Sequence, residues 1–235
     1  MQDFLLIGCI KMVNQMEKVS SDISPLAAIL IFAATFVFVL LLAGMVYNLF
    51  GLSVTLLVQE PLLAALPLGY MLYKRVDFKN YIGLEVKPKT ILLGIALGAL
   101  VLLFDLVVST TLTSVFGVSE TVEEVNTLYA NMSSSPQGLL ILIVAFSLAG
   151  VCEEFTFRGF LQTAVNRRYS FVPAVLVSSF AFSLIHFDPQ LIYTFSAFLI
   201  GLLLGCIYYR WHSYVVSAIA HASVNLIALA LMLLI

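Results

Sequence analysis

Charged residues are scarce in this 235-residue sequence. Asp, Glu, Lys and Arg together make up 10% of it, whereas hydrophobic residues make up 62%. A soluble domain carries roughly 25% charged residues, so the deficit excludes a soluble globular fold. We expect an integral membrane protein of the all-α class, a polytopic bundle of transmembrane helices.

Cysteines and basic clusters are also scarce. The three cysteines are odd in number, and two of them, Cys152 and Cys206, lie in apolar runs, so no disulfide framework is predicted. The eleven Lys and Arg form no cluster of the kind that binds nucleic acid. The partner that these observations leave is membrane lipid. Nothing in the sequence predicts an oligomeric state.

Seven apolar runs are long enough to be membrane spans of about 20 residues. They cover residues 26–50, 53–73, 90–116, 138–165, 171–187, 190–209 and 214–235. No repeat or long linker divides them, so residues 26–235 are predicted to form one domain. Residues 1–25 have no signal-peptide pattern and are predicted to be a cytoplasmic or interfacial segment, in which 4–16 could form an eighth, interfacial helix.

The positions of the basic residues predict the orientation of the bundle. With seven spans, ten of the eleven Lys and Arg fall on one side, and the opposite loop after the third span carries Glu120, Glu123 and Glu124 instead. The positive-inside rule then places the N-terminus in the cytoplasm and the C-terminus outside. Short loops and small size favour a prokaryotic plasma membrane.

The eleventh basic residue, Arg158, lies inside the fourth span, in the stretch from Val151 to Gly159. Three ionisable groups occur there although the fourteen residues 138–151 carry no charge, and each group would cost roughly 2.5 to 3.5 kcal/mol in hydrocarbon. Glu154 and Arg158 are four residues apart on one helical face and can pair. Glu153 points about 100° away and needs another explanation.

Other polar groups are predicted to lie at the same depth. At 1.5 Å per residue, Glu153 and His186 lie roughly 21–22 Å from the basic side and Asn225 roughly 18 Å. His221 precedes Asn225 by one turn on the same face. Glu60 and Asp105 come out roughly 20–24 Å deep by the same count and are further candidates for a supporting role.

Each of these residues also has a structural interpretation. Glu154 with Arg158 is consistent with an ion pair that only fixes the bundle, and a single buried histidine is more often a hydrogen-bonded core residue. Cys152 is consistent with packing, although a thiol nucleophile beside Glu153 is an alternative. The combination of a carboxylate, two histidines and an amide at one depth favours a functional site.

The polar residues form three motifs on successive apolar spans, Glu153-Glu154-x-x-x-Arg158, Phe182-x-x-x-His186 and His221-x-x-x-Asn225. Their order and spacing resemble the CAAX protease and bacteriocin-processing family of intramembrane endopeptidases. The resemblance covers roughly the last hundred residues, and the Phe157-Arg158-Gly159 sequence also fits.

This resemblance implies an activity and a role for each motif residue. Glu153 and His186 would activate a water that attacks a peptide bond of a membrane-associated or lipidated substrate. His221 and Asn225 would stabilise the oxyanion, with Glu154 and Arg158 supporting them. A bacteriocin precursor or a Cys-a-a-X protein terminus is the kind of substrate implied.

The resemblance leaves zinc open as a cofactor. Glu153, His186 and His221 could form the three-ligand set of a catalytic zinc. We expect activation of water without zinc, because no His-Glu-x-x-His is present and the sequence identifies no carboxylate partner for either histidine.

Two other functions remain as alternatives, namely a non-catalytic scaffold or bacteriocin-immunity protein of the same fold and a proton-coupled carrier.

Overall fold

The computed structural model describes residues 22–234, and all regular structure within that range is helical. The predicted interfacial helix at 4–16 lies outside the described residues. The elements are α1 (Pro25–Phe50), α2 (Leu52–Tyr73), α3 (Phe78–Tyr81), α4 (Pro88–Phe116), α5 (Glu120–Ser133), α6 (Pro136–Glu154), a π-helical segment (Phe155–Gln162), α7 (Thr163–Arg168), α8 (Phe171–Ile185), α9 (Ile192–Trp211) and α10 (Tyr214–Met232).

The predicted multi-pass helical architecture is confirmed. Six helices in the described part of the chain are long and apolar enough to cross a membrane, and one of them runs without a break through α6, the π-helical segment and α7, over 33 residues. The seventh predicted span, 171–187, corresponds to the shorter apolar helix α8, which has 15 residues. The chain is therefore a multi-pass integral membrane protein.

Polar residues at the ends of the apolar runs set the helix boundaries. Ser24 and Ser135 each accept a hydrogen bond from the first turn of a helix that begins with proline, where no N–H is needed. Gly51 has φ of +77° and ends α1, so that α2 can begin at the next residue.

Helix α10 is the central element, and it packs against both α4 and α6. Glycines allow these close approaches: a Cβ at Gly98 would lie 2.5 Å from the carbonyl oxygen of Ala220, and one at Gly150 would lie 2.5 Å from the backbone nitrogen of Ala222. Gly94 and Gly98, four residues apart on α4, therefore let α4 and α10 pack closely. The contact at Gly150 also places the end of α6 beside the middle of α10.

Loops that the charge pattern assigns to one side do meet at one end of the bundle. Arg167 forms an ion pair with Asp22 at 3.0 Å and lies over the ring of Tyr81, and the N–H of Tyr214 donates to the carbonyl of Ile82. At the opposite end, the Ser119 hydroxyl donates to Asp188 at 2.7 Å. Helix α5, which begins at that end, was not predicted from the sequence.

Candidate active site

The π-helical segment begins directly after Glu153 and Glu154. Its backbone carbonyls are partly satisfied by a side chain, since the Thr163 hydroxyl donates to the carbonyl of Arg158, five residues earlier, at 2.9 Å. Departures of this kind from the α-helix occur frequently at functional sites. The segment is fully buried, so Arg158 and the end of α6 are held in the middle of the bundle.

Glu154 accepts hydrogen bonds from three side chains on two helices. Its Oε1 lies 2.7 Å from Nη1 of Arg158 and 3.1 Å from Nδ1 of His221, and its Oε2 accepts from the hydroxyl of Ser217. The predicted pairing of Glu154 with Arg158 is confirmed, and both side chains are fully buried. An ionised carboxylate is stable in such a place only because so many donors surround it.

Arg158 is fixed by contacts to two further helices. Its Nη2 donates to the carbonyl of Gly201 at 3.0 Å, and its Cζ lies 4.7 Å from the centre of the Phe182 ring. A planar guanidinium can make these contacts at once because its donors form a rigid fork and its face stacks on aromatic rings. The ion pair thus links α6 to α9 and α8.

Glu153 is also buried, but other side chains do not hold its carboxylate in the way they hold that of Glu154. Its Oε2 has no hydrogen-bond partner among the described residues, and the nearest charged-group contact is Nε2 of His221 at 3.8 Å. Its side chain faces a cavity. A buried carboxylate oxygen without a donor is costly unless water or a ligand supplies one, and Glu153 lines a cavity that can hold such a molecule.

His186 terminates α8 and presents one ring nitrogen to the same cavity. Its Nδ1 lies 2.9 Å from the carbonyl oxygen of Phe182, which can only accept, so Nδ1 carries the proton. In the neutral ring, Nε2 then keeps its lone pair and can accept a hydrogen bond from water. The rings of Phe182 and Tyr193 lie beside the imidazole, with centroids 4.5 and 5.6 Å away.

Asn225 lies one turn beyond His221 on α10. Its Nδ2 donates to the carbonyl of Phe146 at 3.3 Å, which orients the amide. The second proton of that amide group remains available. Ser217, His221 and Asn225 follow one another at intervals of four residues, so a single face of α10 supplies all three.

One cavity of about 750 Å³ brings the predicted residues together. Its walls come mainly from α1, α2, α5 and α6, and it extends to the loop after α8. Five of the residues proposed from the sequence line it, namely Glu60, Glu153, His186, His221 and Asn225. The structure therefore places a carboxylate, two imidazoles and an amide at one cavity of the bundle.

Two other residues considered from the sequence do not line this cavity. Asp105 instead accepts hydrogen bonds from Ser109 and Ser196, at 3.1 and 3.2 Å. Cys152 is buried beside Glu153 but faces elsewhere. Neither side chain is in position to contact a molecule that occupies the cavity.

Zinc is the only cofactor for which the sequence offers a ligand set. Within residues 22–234, no three His, Cys, Asp or Glu side chains are grouped closely enough to bind one metal ion. Glu153 and His221 approach each other, but His186 does not complete a three-ligand group with them. The residues do not fit a zinc site in this geometry, so we derive no step through zinc.

One reason for expecting no zinc was wrong. The sequence identified no carboxylate partner for either histidine, whereas Glu154 lies 3.1 Å from Nδ1 of His221. Sequence reasoning also missed Ser217 and Tyr193. Ser217 could have been found, because it precedes His221 by four residues and so shares its face.

Comparison with known proteins agrees with the resemblance seen in the motifs. Residues 135–227 match the family model described as type II CAAX prenyl endopeptidase Rce1-like. The match covers all three motifs and confirms the resemblance to the CAAX protease and bacteriocin-processing family. No curated protein and no solved structure matches significantly. The family supports a CAAX-type membrane endopeptidase in general terms.

Proposed function

We propose that this protein is an intramembrane endopeptidase that hydrolyses a peptide bond in a membrane-associated or lipidated peptide. The observation that carries the proposal is the shared cavity, to which three separate motifs contribute Glu153, His186, His221 and Asn225. The family match supports the reaction class.

Glu153 and His186 activate the attacking water. The Glu153 carboxylate accepts a hydrogen bond from one O–H of the water, and Nε2 of His186 accepts a hydrogen bond from the other O–H. As the water oxygen attacks the peptide carbonyl, its proton passes to Glu153. Glu153 then returns this proton to the nitrogen of the departing chain, so the base of the first step is the acid of the second.

Asn225 and His221 stabilise the negative charge that develops on the carbonyl oxygen. Asn225 donates the amide proton that Phe146 does not use. His221 donates Nε2–H when its ring carries both protons, because its Nδ1–H already faces Glu154. Donors fixed in advance in a water-poor site stabilise an oxyanion without reorganisation.

Glu154 and Arg158 balance the charge of this arrangement. With His221 protonated, two cationic groups face the carboxylates of Glu153 and Glu154, so the four groups are neutral together. When Glu153 takes a proton, the new oxyanion replaces its charge. Glu154 also holds the His221 ring with its Nε2 toward the cavity.

We infer the orientation from the basic loops that meet at one end of the bundle. The N-terminus and these loops face the cytoplasm, α5 and the C-terminus face outward, and the membrane is a prokaryotic plasma membrane. Labelling of single introduced cysteines at Lys79 and Glu124 with an impermeant thiol reagent in a Cys-free background tests this. Only the second position reacts in intact cells, and the reverse result contradicts the orientation.

Glu153→Gln tests the reaction itself, because the substitution keeps the size of the side chain and removes the base. Peptides of cells that carry this variant are compared by mass spectrometry with those of wild-type cells. We expect unprocessed precursors to accumulate while the protein remains at its normal level in the membrane. Glu124→Gln, which changes an exposed carboxylate on α5 outside the cavity, is the matched control. Normal processing by Glu153→Gln would refute the assignment.

A further inference from the structure

His186 lies at the end of α8, where a side chain is not held by the helix alone. The last carbonyls of a helix have no partner within it, and helix ends fray unless other groups bind them. One such carbonyl is that of His186 itself, and the Thr194 hydroxyl donates to it at 3.1 Å. The Nδ1 of the imidazole bonds to the carbonyl of Phe182, which belongs to the same helix. The orientation of His186 therefore depends on contacts from outside α8.

Asp188, which is fully buried, organises the segment that supplies these contacts. Its backbone N–H donates to Thr194 at 2.8 Å, so the Thr194 hydroxyl is bonded to Asp188 on one side and to His186 on the other. Its Oδ2 accepts the backbone N–H of Tyr193 at 3.2 Å, and the Tyr193 ring lies beside the His186 imidazole. Asp188 thus fixes both residues of α9 that contact His186.

The turn between α8 and α9 is strained at Leu191, whose φ of +61° lies in the left-handed region. The N–H of Leu191 donates to the carbonyl of Asp188 at 2.8 Å, and α9 begins at the next residue, so its N–H groups can reach the Asp188 carboxylate. A strained residue of this kind persists only where its surroundings impose the conformation, and such residues concentrate at functional sites. The turn is therefore more than a connection between two helices.

Helix α5 is attached to the same turn. The Ser119 hydroxyl donates to Oδ1 of Asp188 at 2.7 Å, and the N–H of Glu120 donates to the side chain of Gln190 at 3.0 Å. Helix α5 forms part of the cavity wall, although none of its own side chains is buried. Because these bonds join the start of α5 to the segment 186–194, a displacement of α5 from the cavity would disturb that segment.

We propose that Asp188 and Thr194 are positioning residues that hold the His186 ring with its Nε2 toward the cavity. Ser119 makes this position depend on α5, so water is activated only while α5 lies against the cavity. An error of about 1 Å in the position of a reacting group can lower a rate by about 10²-fold, so the bonds of this segment matter for the reaction. The catalytic consequence rests on the proposed endopeptidase function, whereas the positioning of His186 can be measured without turnover.

Histidine NMR tests the positioning, because the chain has only three histidines, His186, His212 and His221. Purified protein with isotope-labelled histidine nitrogens is studied in detergent, and the spectrum of His186→Gln identifies the signals of His186. Wild type should show a single tautomer with Nδ1 protonated. Thr194→Val keeps the shape and removes the hydroxyl, so the two ring-nitrogen signals of His186 should shift toward one another as tautomers exchange. Thr194→Ser restores the hydroxyl and should give the wild-type signals.

Two further variants make the test independent of any one substitution. Asp188→Asn should shift the His186 signals in the same direction as Thr194→Val, and Ser119→Ala should shift them to a smaller extent. Signals of the other two histidines at their wild-type positions show that each variant is folded. Unchanged His186 signals in Thr194→Val and Asp188→Asn would overturn the positioning role. Unchanged signals in Ser119→Ala alone would overturn the dependence on α5.

The catalytic consequence is measured on a peptide from the precursors that accumulate in Glu153→Gln cells. Thr194→Val should lower kcat about 10- to 100-fold with little change in KM, and Thr194→Ser should stay close to wild type. A wild-type kcat for Thr194→Val, despite shifted His186 signals, would overturn the importance of this position for the reaction. No cleavage by wild-type protein, together with the expected NMR shifts, would refute the peptidase function and leave the positioning of His186 standing.

Discussion

The Glu154 carboxylate accepts hydrogen bonds from three side chains of the site, namely Arg158, His221 and Ser217. Glu154→Gln leaves a fully buried guanidinium without an ionised partner, which should lower the free energy of unfolding by about 3–5 kcal/mol. Ser217→Ala removes one neutral donor and should cost about 1 kcal/mol. Denaturant unfolding of both variants in detergent, followed by circular dichroism, checks whether Glu154→Gln loses more unfolding free energy than Ser217→Ala. Similar losses in the two would contradict a central role for the charge of Glu154.

Asn225 is predicted to act on the transition state rather than on the bound substrate. Asn225→Ala removes one oxyanion donor and should lower kcat by roughly 10² to 10³, with little change in KM. Asn126→Ala is the control, because Asn126 lines the same cavity from α5 and belongs to none of the three motifs. Steady-state kinetics on a cleaved peptide distinguishes stabilisation of the transition state from binding of the substrate. A raised KM at constant kcat would assign Asn225 to substrate binding.

Metal dependence follows from the positions of Glu153, His186 and His221. Since they form no three-ligand group, the purified enzyme should keep its activity after dialysis against a chelator, and elemental analysis should find far less than one zinc per chain. Zinc at one per chain, lost together with activity and restored with it, would contradict this. Cobalt replacement with its visible spectrum would then identify the ligands.

At the level of single residues, the sequence predicted which side chains come together better than how they interact. Glu153, His186, His221 and Asn225 could be grouped because helical rise converts sequence position into depth. The contact of Glu154 with His221 could not be predicted in this way, because depth alone does not give the rotation of one helix against another. Asp105 shows the same limit, since it has a suitable predicted depth but bonds to Ser109 and Ser196 instead.

The helical elements differ in how clearly the sequence marks them. The seven apolar runs were found because length and hydropathy define a span. The amphipathic helix α5 has no such run, and its Ser119 cap alone was too weak a signal. The π-helical segment was also missed, because no pattern in the sequence marks it and the contacts of its Arg158 and of Thr163 with Gly201 and Tyr208 on α9 are tertiary.

The contact between α5 and the loop before α9 should depend on pH through Asp188. Burial by itself would raise its pKa, but hydrogen bonds from Ser119 and from the N–H groups of Tyr193 and Gln190 outweigh this, so the pKa of Asp188 lies below its usual value. The stabilisation is then complete above the unfolded-state pKa of about 3.9 and is lost as pH falls through the lower folded value.

Asp188→Asn should therefore lower the thermal midpoint at pH 7, and the difference from wild type should shrink as pH falls below about 4. Midpoints of both proteins measured in detergent from pH 7 to pH 3 check this. A difference that stays constant over the whole range would show that the charge of Asp188 does not stabilise the loop.

For the whole molecule, composition was sufficient to predict a helical membrane bundle, and the basic loops predicted which ends of the helices meet. The cavity was not predictable, because its walls are mostly apolar residues of α1, α2 and α5 that carry no motif. These helices lie largely outside the region that matches the family, 135–227. The three motifs and much of the cavity wall thus belong to different parts of the chain.

The most direct test of this account is hydrolysis by the purified protein in lipid vesicles. A membrane-anchored peptide from the precursors that accumulate in Glu153→Gln cells is incubated with wild-type protein, Glu153→Gln and Glu124→Gln, and the products are identified by mass spectrometry. The account predicts cleavage at one peptide bond by wild type and Glu124→Gln, and a rate at least about 10³-fold lower for Glu153→Gln. Cleavage by Glu153→Gln at the wild-type rate, or no cleavage by the wild-type protein, would contradict it.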